Sequence, residues 1–339
     1  MGKNKLLIII FMLLLVFTVS CGGPQADKPA EPNPAPQEEA NAPEDEEEQQ
    51  AAEQVFPQEP ELPGALLVMV DNYKKARPQA GLDKADMVYE IMAEGGITRY
   101  MGIFYHQKAE KIGPVRSARY YFVELAKGFN SPLAHAGGST EALNMLVSLK
   151  IKDMDEIYNA GAYFWRDKQR KMPHNLYTST EQLIKGAKNK GYALVPLEAL
   201  PQGTAWQGAP QGAIGIDYSQ KPEKYLVAWK YQDNRYIRQV NGEPYLLEDG
   251  AAIIADNIII ITAKTRSFVK DGVVLSDIDI IGKGEARYLI EGKMMKGSWK
   301  KETAGKMLEF LDEGGSPMTF KQGRTWVQVV PDLNSLILG

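Results

Sequence analysis

"PLAHAGGSTEALNMLVSLK", residues 132–150, decides the class of the fold. A short apolar run containing His135 meets Gly137 and Gly138. A stretch with apolar residues at helical spacing follows, opened by Ser139 or Thr140 as a cap. This reads as a strand, a glycine loop and a helix. The stretches around it repeat the theme. "ALLVMVDN" (65–72) is a buried strand with a polar end, and "ITRYMGIFYH" (97–106) is rich in the β-branched and aromatic residues that suit strands. "KIGPVRSARYYFVELAK" (111–127) reads as a helix opened by a Gly-Pro turn, with Pro114 as its first residue. "TSTEQLIKGAKNKGY" (178–192) is a capped helix. Strands alternating with helices predict an α/β (α+β) domain over residues 63–200. After the loop-like "ALPQGTAWQGAPQG" (199–212) the pattern becomes alternating apolar and polar, with turns at Asp233-Asn234 and Asn241-Gly242. Residues 201–339 are therefore expected to form a smaller, mostly antiparallel β domain.

The N-terminus is of another kind. Lys3 and Lys5 precede an apolar run over residues 6–17, and Ser20 precedes Cys21. This is the layout of a secretory signal peptide over residues 1–20, with an apolar run too short to span a bilayer comfortably. Cys21 is the only cysteine, so no intrachain disulfide is available and the core must supply the stability. Residues 21–62 are dominated by Pro, Ala, Glu and Gln, with twelve acids against one base. Such a segment buries too little apolar surface to fold and is expected to be an extended, disordered acidic tether. The whole chain carries −4, yet the body beyond the tether is net positive by about five charges. That excess favours an anionic partner and is too weak to point to nucleic acid.

The polar residues that stand out lie in the first half, where strand ends and helix starts gather ligands in α/β domains. Arg116 and Arg119, three apart, would share a face of the helix read from Pro114 and sit where the backbone dipole is already positive. An external anion would turn that repulsion into joint attraction, because guanidinium forks match phosphate oxygens. The alternative is that Glu90, Glu94 or Glu124 pairs with them. Arg99 lies on the neighbouring strand. His135, Gly137 and Gly138 would let a ligand approach the backbone closely. Arg166 and Arg170, four apart, with His174 and Asn175, supply a second candidate anion contact. The three histidines are too widely separated for a zinc motif, and no GxSxG stretch occurs.

Several of these stretches taken together, "DNYKKARPQAGLDKADMVYEIMAEGGITRY", "IGPVRSAR", "HAGGS", "FWRD" and "PHNLY", with "GSWKK" and "GRTWVQVVP" near the end, resemble the YerB-like lipoprotein family of Gram-positive bacteria. That resemblance covers residues 63–339 and implies two adjacent domains with no activity assigned to them. Cys21 resembles the lipobox cysteine, which implies a diacylated membrane anchor. The order "LLVMVDN…ADMVYE…GPVRSAR…LAHAGGS" also resembles the LytR-CpsA-Psr phosphotransferases. By position this implies Asp71 and Asp86 as Mg2+ ligands, and Arg116, Arg119, Arg166 and Arg170 as grips on a pyrophosphate. The chain has Val115-Arg116-Ser117 where that family usually has Pro-Arg-Asp. The expected function is a lipid-anchored extracytoplasmic protein that binds an anionic phosphate or pyrophosphate ligand of the cell envelope. The alternatives are a Mg2+-dependent phosphotransferase on polyprenyl-pyrophosphate-linked glycopolymers, and an envelope assembly factor with protein partners.

Overall fold

The computed structural model describes residues 56–219, 224–270 and 272–339. The signal peptide, Cys21 and the tether up to residue 55 lie outside the described residues. In the first half the strands are β1 (Leu66–Val70), β2 (Met87–Met92), β3 (Thr98–Phe104), β4 (Leu133–His135) and β5 (Asp153–Asp155), with helices α1 (Tyr120–Phe129), α2 (Thr140–Ser148) and α3 (Thr180–Asn189). The second half adds β6 (Ala213–Asp217), β7 (Leu226–Gln232), β8 (Arg235–Val240), β9 (Asn257–Thr262), β10 (Thr265–Lys270) and β11 (Val273–Ile278). It continues with β12 (Gly282–Ile290), β13 (Lys293–Lys301), β14 (Glu309–Asp312), β15 (Thr325–Val330) and β16 (Leu336–Leu338). The class matches the expectation: a mixed sheet in the N-terminal part and antiparallel pairing through most of the rest.

β1, β2 and β3 are buried along their whole length and, apart from Glu90, Thr98 and Arg99, nearly all apolar, the pattern of strands covered from two sides. They lie in one long sheet with the order β14-β13-β12-β9-β15-β2-β3-β1-β4-β5. β1 runs antiparallel to β3, with Val70 opposite Tyr100, and parallel to β4. β15, from the far end of the sequence, runs parallel to both β2 and β9 and joins the halves. A second sheet holds β8, β7, β6 and β16, and its β7 and β8 alternate buried with part-exposed residues, as a sheet with one covered face should. Asp233 and Asn234, at φ 50° and 60°, make the tight turn between them, a conformation that short polar side chains tolerate.

One expectation is corrected. α1 starts at Tyr120 with Arg119 as its N-cap, and residues 112–118 are extended. The N–H of Val115 bonds the Leu176 carbonyl at 2.6 Å, and that of Arg116 bonds the Met69 carbonyl at 3.0 Å. Those donors are consumed by tertiary pairing, so no helical turn forms at Pro114 and no N-terminal amide cradle arises there. Ser139 and Ser179 do cap α2 and α3, accepting from Ala142 N and Gln182 N at 3.2 Å each.

Candidate functional site

Charge collects at the end of the central strands where β1 stops and β2 turns into β3. The turn over Ala93–Ile97 closes through Ala93 N to Ile97 O at 2.8 Å, with Gly95 and Gly96 at φ 65° and 72°, where a side chain would be strained. Beside it lies a cavity of 260 Å3 whose lining includes Asp71, Tyr73, Glu94, Arg99, Arg116 and His174. Asp71 follows β1, Arg99 is in β3, Arg116 is on the extended segment before α1, and His174 is on the loop preceding Leu176–Tyr177.

Glu94 is shared by two arginines. Arg99 donates from Nη2 to Oε1 at 2.5 Å, and Arg119 Nη2 stands 2.7 Å from Oε2. The other amino group of each arginine donates to a nearby carbonyl, Arg99 to Ser117 O and Arg119 to Ala118 O, both at 2.8 Å. Burial alone would push the Glu94 carboxyl up, but the two guanidiniums outweigh it and hold the carboxyl below its usual range. Burial, then the charge of Arg99, pulls Arg119 below the ordinary arginine value. Asp71 is shared in the same way. Its Oδ2 lies 2.7 Å from His174 Nδ1 and 3.3 Å from Arg116 Nε, while Oδ1 accepts from Tyr73 N at 2.9 Å. The His174 ring stacks on Tyr73 with centroids 5.2 Å apart. Three guanidiniums thus face two carboxylates, an excess of one positive charge. The Nε atoms of Arg99 and Arg116 are buried and make no hydrogen bond among the described residues.

Residues 53–193 match the model described as "Protein of unknown function (DUF3048) N-terminal domain", and residues 214–327 match its C-terminal counterpart. The chain is 36% identical over 282 residues to "Putative lipoprotein YerB" of Bacillus subtilis (strain 168), covering 80% of this chain and 82% of that one. The chain belongs to the YerB-like family. The crystal structure of the YerB protein from Bacillus subtilis superposes with a TM-score of 0.74 at 35% identity, covering 81% of this chain and 93% of that one. No helix among the described residues is long and apolar enough to cross a membrane.

Of the residues singled out in this YerB-like sequence, Arg99, Arg116, His174 and Asp71 meet at the cavity, and Arg119 reaches it through Glu94. The others are placed elsewhere. Arg170 is a brace: Nη1 donates to Pro78 O at 3.0 Å and to the Tyr177 hydroxyl, Nη2 donates to Arg77 O at 3.2 Å, and Glu248 pairs with it from the second half. Arg166 pairs with Glu156 at 3.1 Å and donates to Asn175 Oδ1 at 3.2 Å, and Asn175 in turn donates to the Asp167 and Arg170 carbonyls. His135 is fully buried between Asp153 Oδ1, 2.7 Å from Nε2, and Gly137 O, 2.9 Å from Nδ1. Burial would lower its pKa, but the Asp153 hydrogen bond and the charges of Asp153 and Asp155 raise it instead. The glycine loop is likewise turned inward: Ala118 N bonds Gly137 O at 2.9 Å, and a Cβ on Gly138 would meet Ala118 O at 3.3 Å.

Asp71 and Asp86 do not fit a Mg2+ site. β1 and β2 flank β3 in parallel, so Asp71, after the end of β1, and Asp86, before the start of β2, stand at opposite ends of the sheet. The Asp86 carboxylate is occupied by the Tyr105 N–H at 2.6 Å, the His106 N–H and the His106 ring, and it lines a separate cavity. No group of three His, Cys, Asp or Glu among the described residues is arranged to hold a metal ion. Sequence reading missed Tyr73 and gave Glu94 only as a partner for arginine. The acid followed by two glycines in "AEGGI" (93–97) was the available signal for a carboxylate held at a turn.

Proposed function

We propose that this chain is a lipid-anchored extracytoplasmic protein that binds a phosphate- or pyrophosphate-type anion of the cell envelope in the cavity between the end of β1 and the β2–β3 turn. Anchoring through a diacylated Cys21 is supported by the layout of the leader and by the lipoprotein name of the Bacillus subtilis relative. The observation that carries the ligand is the charge balance: Arg99 and Arg116 line one cavity with Asp71 and Glu94, and Arg119, paired to Glu94 from outside the lining, makes three guanidiniums against two carboxylates. Arg116 is the gripping group. It touches Asp71 only at 3.3 Å through Nε, makes no side-chain hydrogen bond to the protein among the described residues, and is partly exposed. Arg99 is buried and fixed, and supplies positive potential behind it in a medium that screens poorly.

Pyrophosphate titrated into the full chain should raise the melting temperature. Ligand at a hundred times its Kd adds about 2.7 kcal/mol. Arg116→Gln should remove most of the effect, while Arg166→Gln, on the two-stranded ribbon that Trp165–Arg166 makes with Leu176–Tyr177 and outside the cavity lining, should leave it intact. If phosphate and pyrophosphate both leave the melt unmoved at low salt, the reading fails.

A further inference from the structure

A second hollow of 130 Å3 adjoins the first. The two share Tyr73 and Ile97 as a common wall, and the β2–β3 turn borders both, Gly95 on the first and Gly96 on the second. The lining of the second hollow includes Lys74, Arg77 and Lys224 beside Tyr225 and Asn241, and among the described residues it holds no carboxylate. Arg77 is fixed through Nε by the Asn72 carbonyl at 3.1 Å and by Asn72 Oδ1 at 3.0 Å, and it lies 4.7 Å from the centre of the Tyr225 ring. Lys224 comes from the other half of the chain. It is exposed, and its carbonyl is anchored by Asn241 Nδ2 at 3.2 Å.

A single anion in the first hollow leaves the second without a role. A neutral group there would take water from Arg77 and Lys224 and return no charge, which is costly. A second anionic group would be attracted to both. We propose that the two hollows form one bipartite site, and that its ligand is a linear polyanion of linked phosphate groups, one seated near Arg116 and another, further along the ligand and past Tyr73, near Arg77 and Lys224. This rests on the anion-binding reading above and goes further in naming the ligand class. Phosphoanhydride and phosphodiester chains share this chemistry.

The test compares orthophosphate, tripolyphosphate, long-chain polyphosphate and a phosphodiester oligomer on the full chain by calorimetry, with Lys224→Gln and Arg116→Gln. Two tethered contacts should make a chain ligand bind roughly tenfold or more tightly than orthophosphate. Lys224→Gln should erase most of that gain and leave orthophosphate binding unchanged, whereas Arg116→Gln should weaken every ligand. The Lys224 arm is needed because a longer chain also gains affinity merely by offering more phosphates. Lys224 is exposed, so an unchanged melting temperature without ligand certifies the variant's fold. Orthophosphate binding with no gain for chains, a gain untouched by Lys224→Gln, or an equal loss for all ligands in that variant would each overturn the bipartite site while the first-cavity reading stands. No binding by any of them would overturn both. Which chain type gains more separates the two sources.

Discussion

Glu94 sets the charge of the cavity, because one carboxylate keeps Arg99 and Arg119 from facing each other unpaired. Arg99 has 5% of its side chain exposed, so water cannot replace the lost partner. Glu94→Gln should therefore cost on the order of 3 kcal/mol, the scale for removing one side of a buried ion pair. Phosphate or sulfate should restore part of that stability in the variant, and more of it than in the wild type, since the anion takes the place of the carboxylate. Thermal melts with and without phosphate measure both effects, and a variant as stable as wild type would show that the pairing carries little weight. The arginines were legible in the sequence as a local charge excess. Their division of labour was not. Arg166 and Arg170 lie four apart, but they sit on a ribbon and its turn, where helical spacing has no meaning, and Arg170 is spent on carbonyls and on Glu248. His135 looked like a ligand group for want of any sign that Asp153 and Asp155, on a neighbouring strand, would enclose it.

At the scale of elements, what the chain decides locally could be read and what distant partners decide could not. The serine caps of α2 and α3 and the Asp233-Asn234 turn act within a few residues, and each was visible. The start of α1 depends on Met69 and Leu176, far away in the sequence, taking the N–H groups of Arg116 and Val115, so the local helix signal misled. α1 also carries a measurable consequence. Glu124 packs towards Lys301 of β13, with Asp277 and Asp279 near it, and burial chiefly, with those two aspartates, pushes its carboxyl up to about 7 against the pull of Lys301. A carboxyl whose folded pKa lies above its unfolded value, about 4.3, adds stability that is complete below the unfolded pKa and is lost as pH rises through the folded one. Between pH 4.5 and 7 this group should therefore destabilise the fold progressively. Glu124→Gln should flatten that part of the melting-temperature profile and leave the variant more stable than wild type at pH 7. An unchanged slope would assign the pH dependence to other groups.

In the fold as a whole, the composition shift near residue 200 was legible as a change from mixed to antiparallel structure, but no local pattern showed how the two parts join. β15 stands between β2 and β9, so strands from both halves complete one sheet. Beneath it Glu90, fully buried on β2, accepts from Thr98 at 2.7 Å, Tyr225 at 2.8 Å and Trp326 Nε1 at 3.1 Å, and pairs with Arg238 at 2.8 Å. Arg238 is itself fully buried against the rings of Trp229 and Trp326, 5.2 and 4.7 Å away. Cutting the chain at residue 200 would strip β2 of its neighbour, expose a long apolar edge, and leave Glu90 as an uncompensated charge in the interior. Residues 56–200 alone should accordingly fail to give a cooperative melt or dispersed amide resonances, and co-expression with residues 201–339 should recover a folded complex. A cooperative transition from residues 56–200 by themselves would show that the shared sheet and the Glu90–Arg238 pair are dispensable. The second basic hollow would then have to be regarded as a junction between two independent bodies, because Lys224 and Tyr225 come from the half beyond the cut while Arg77 comes from the half before it.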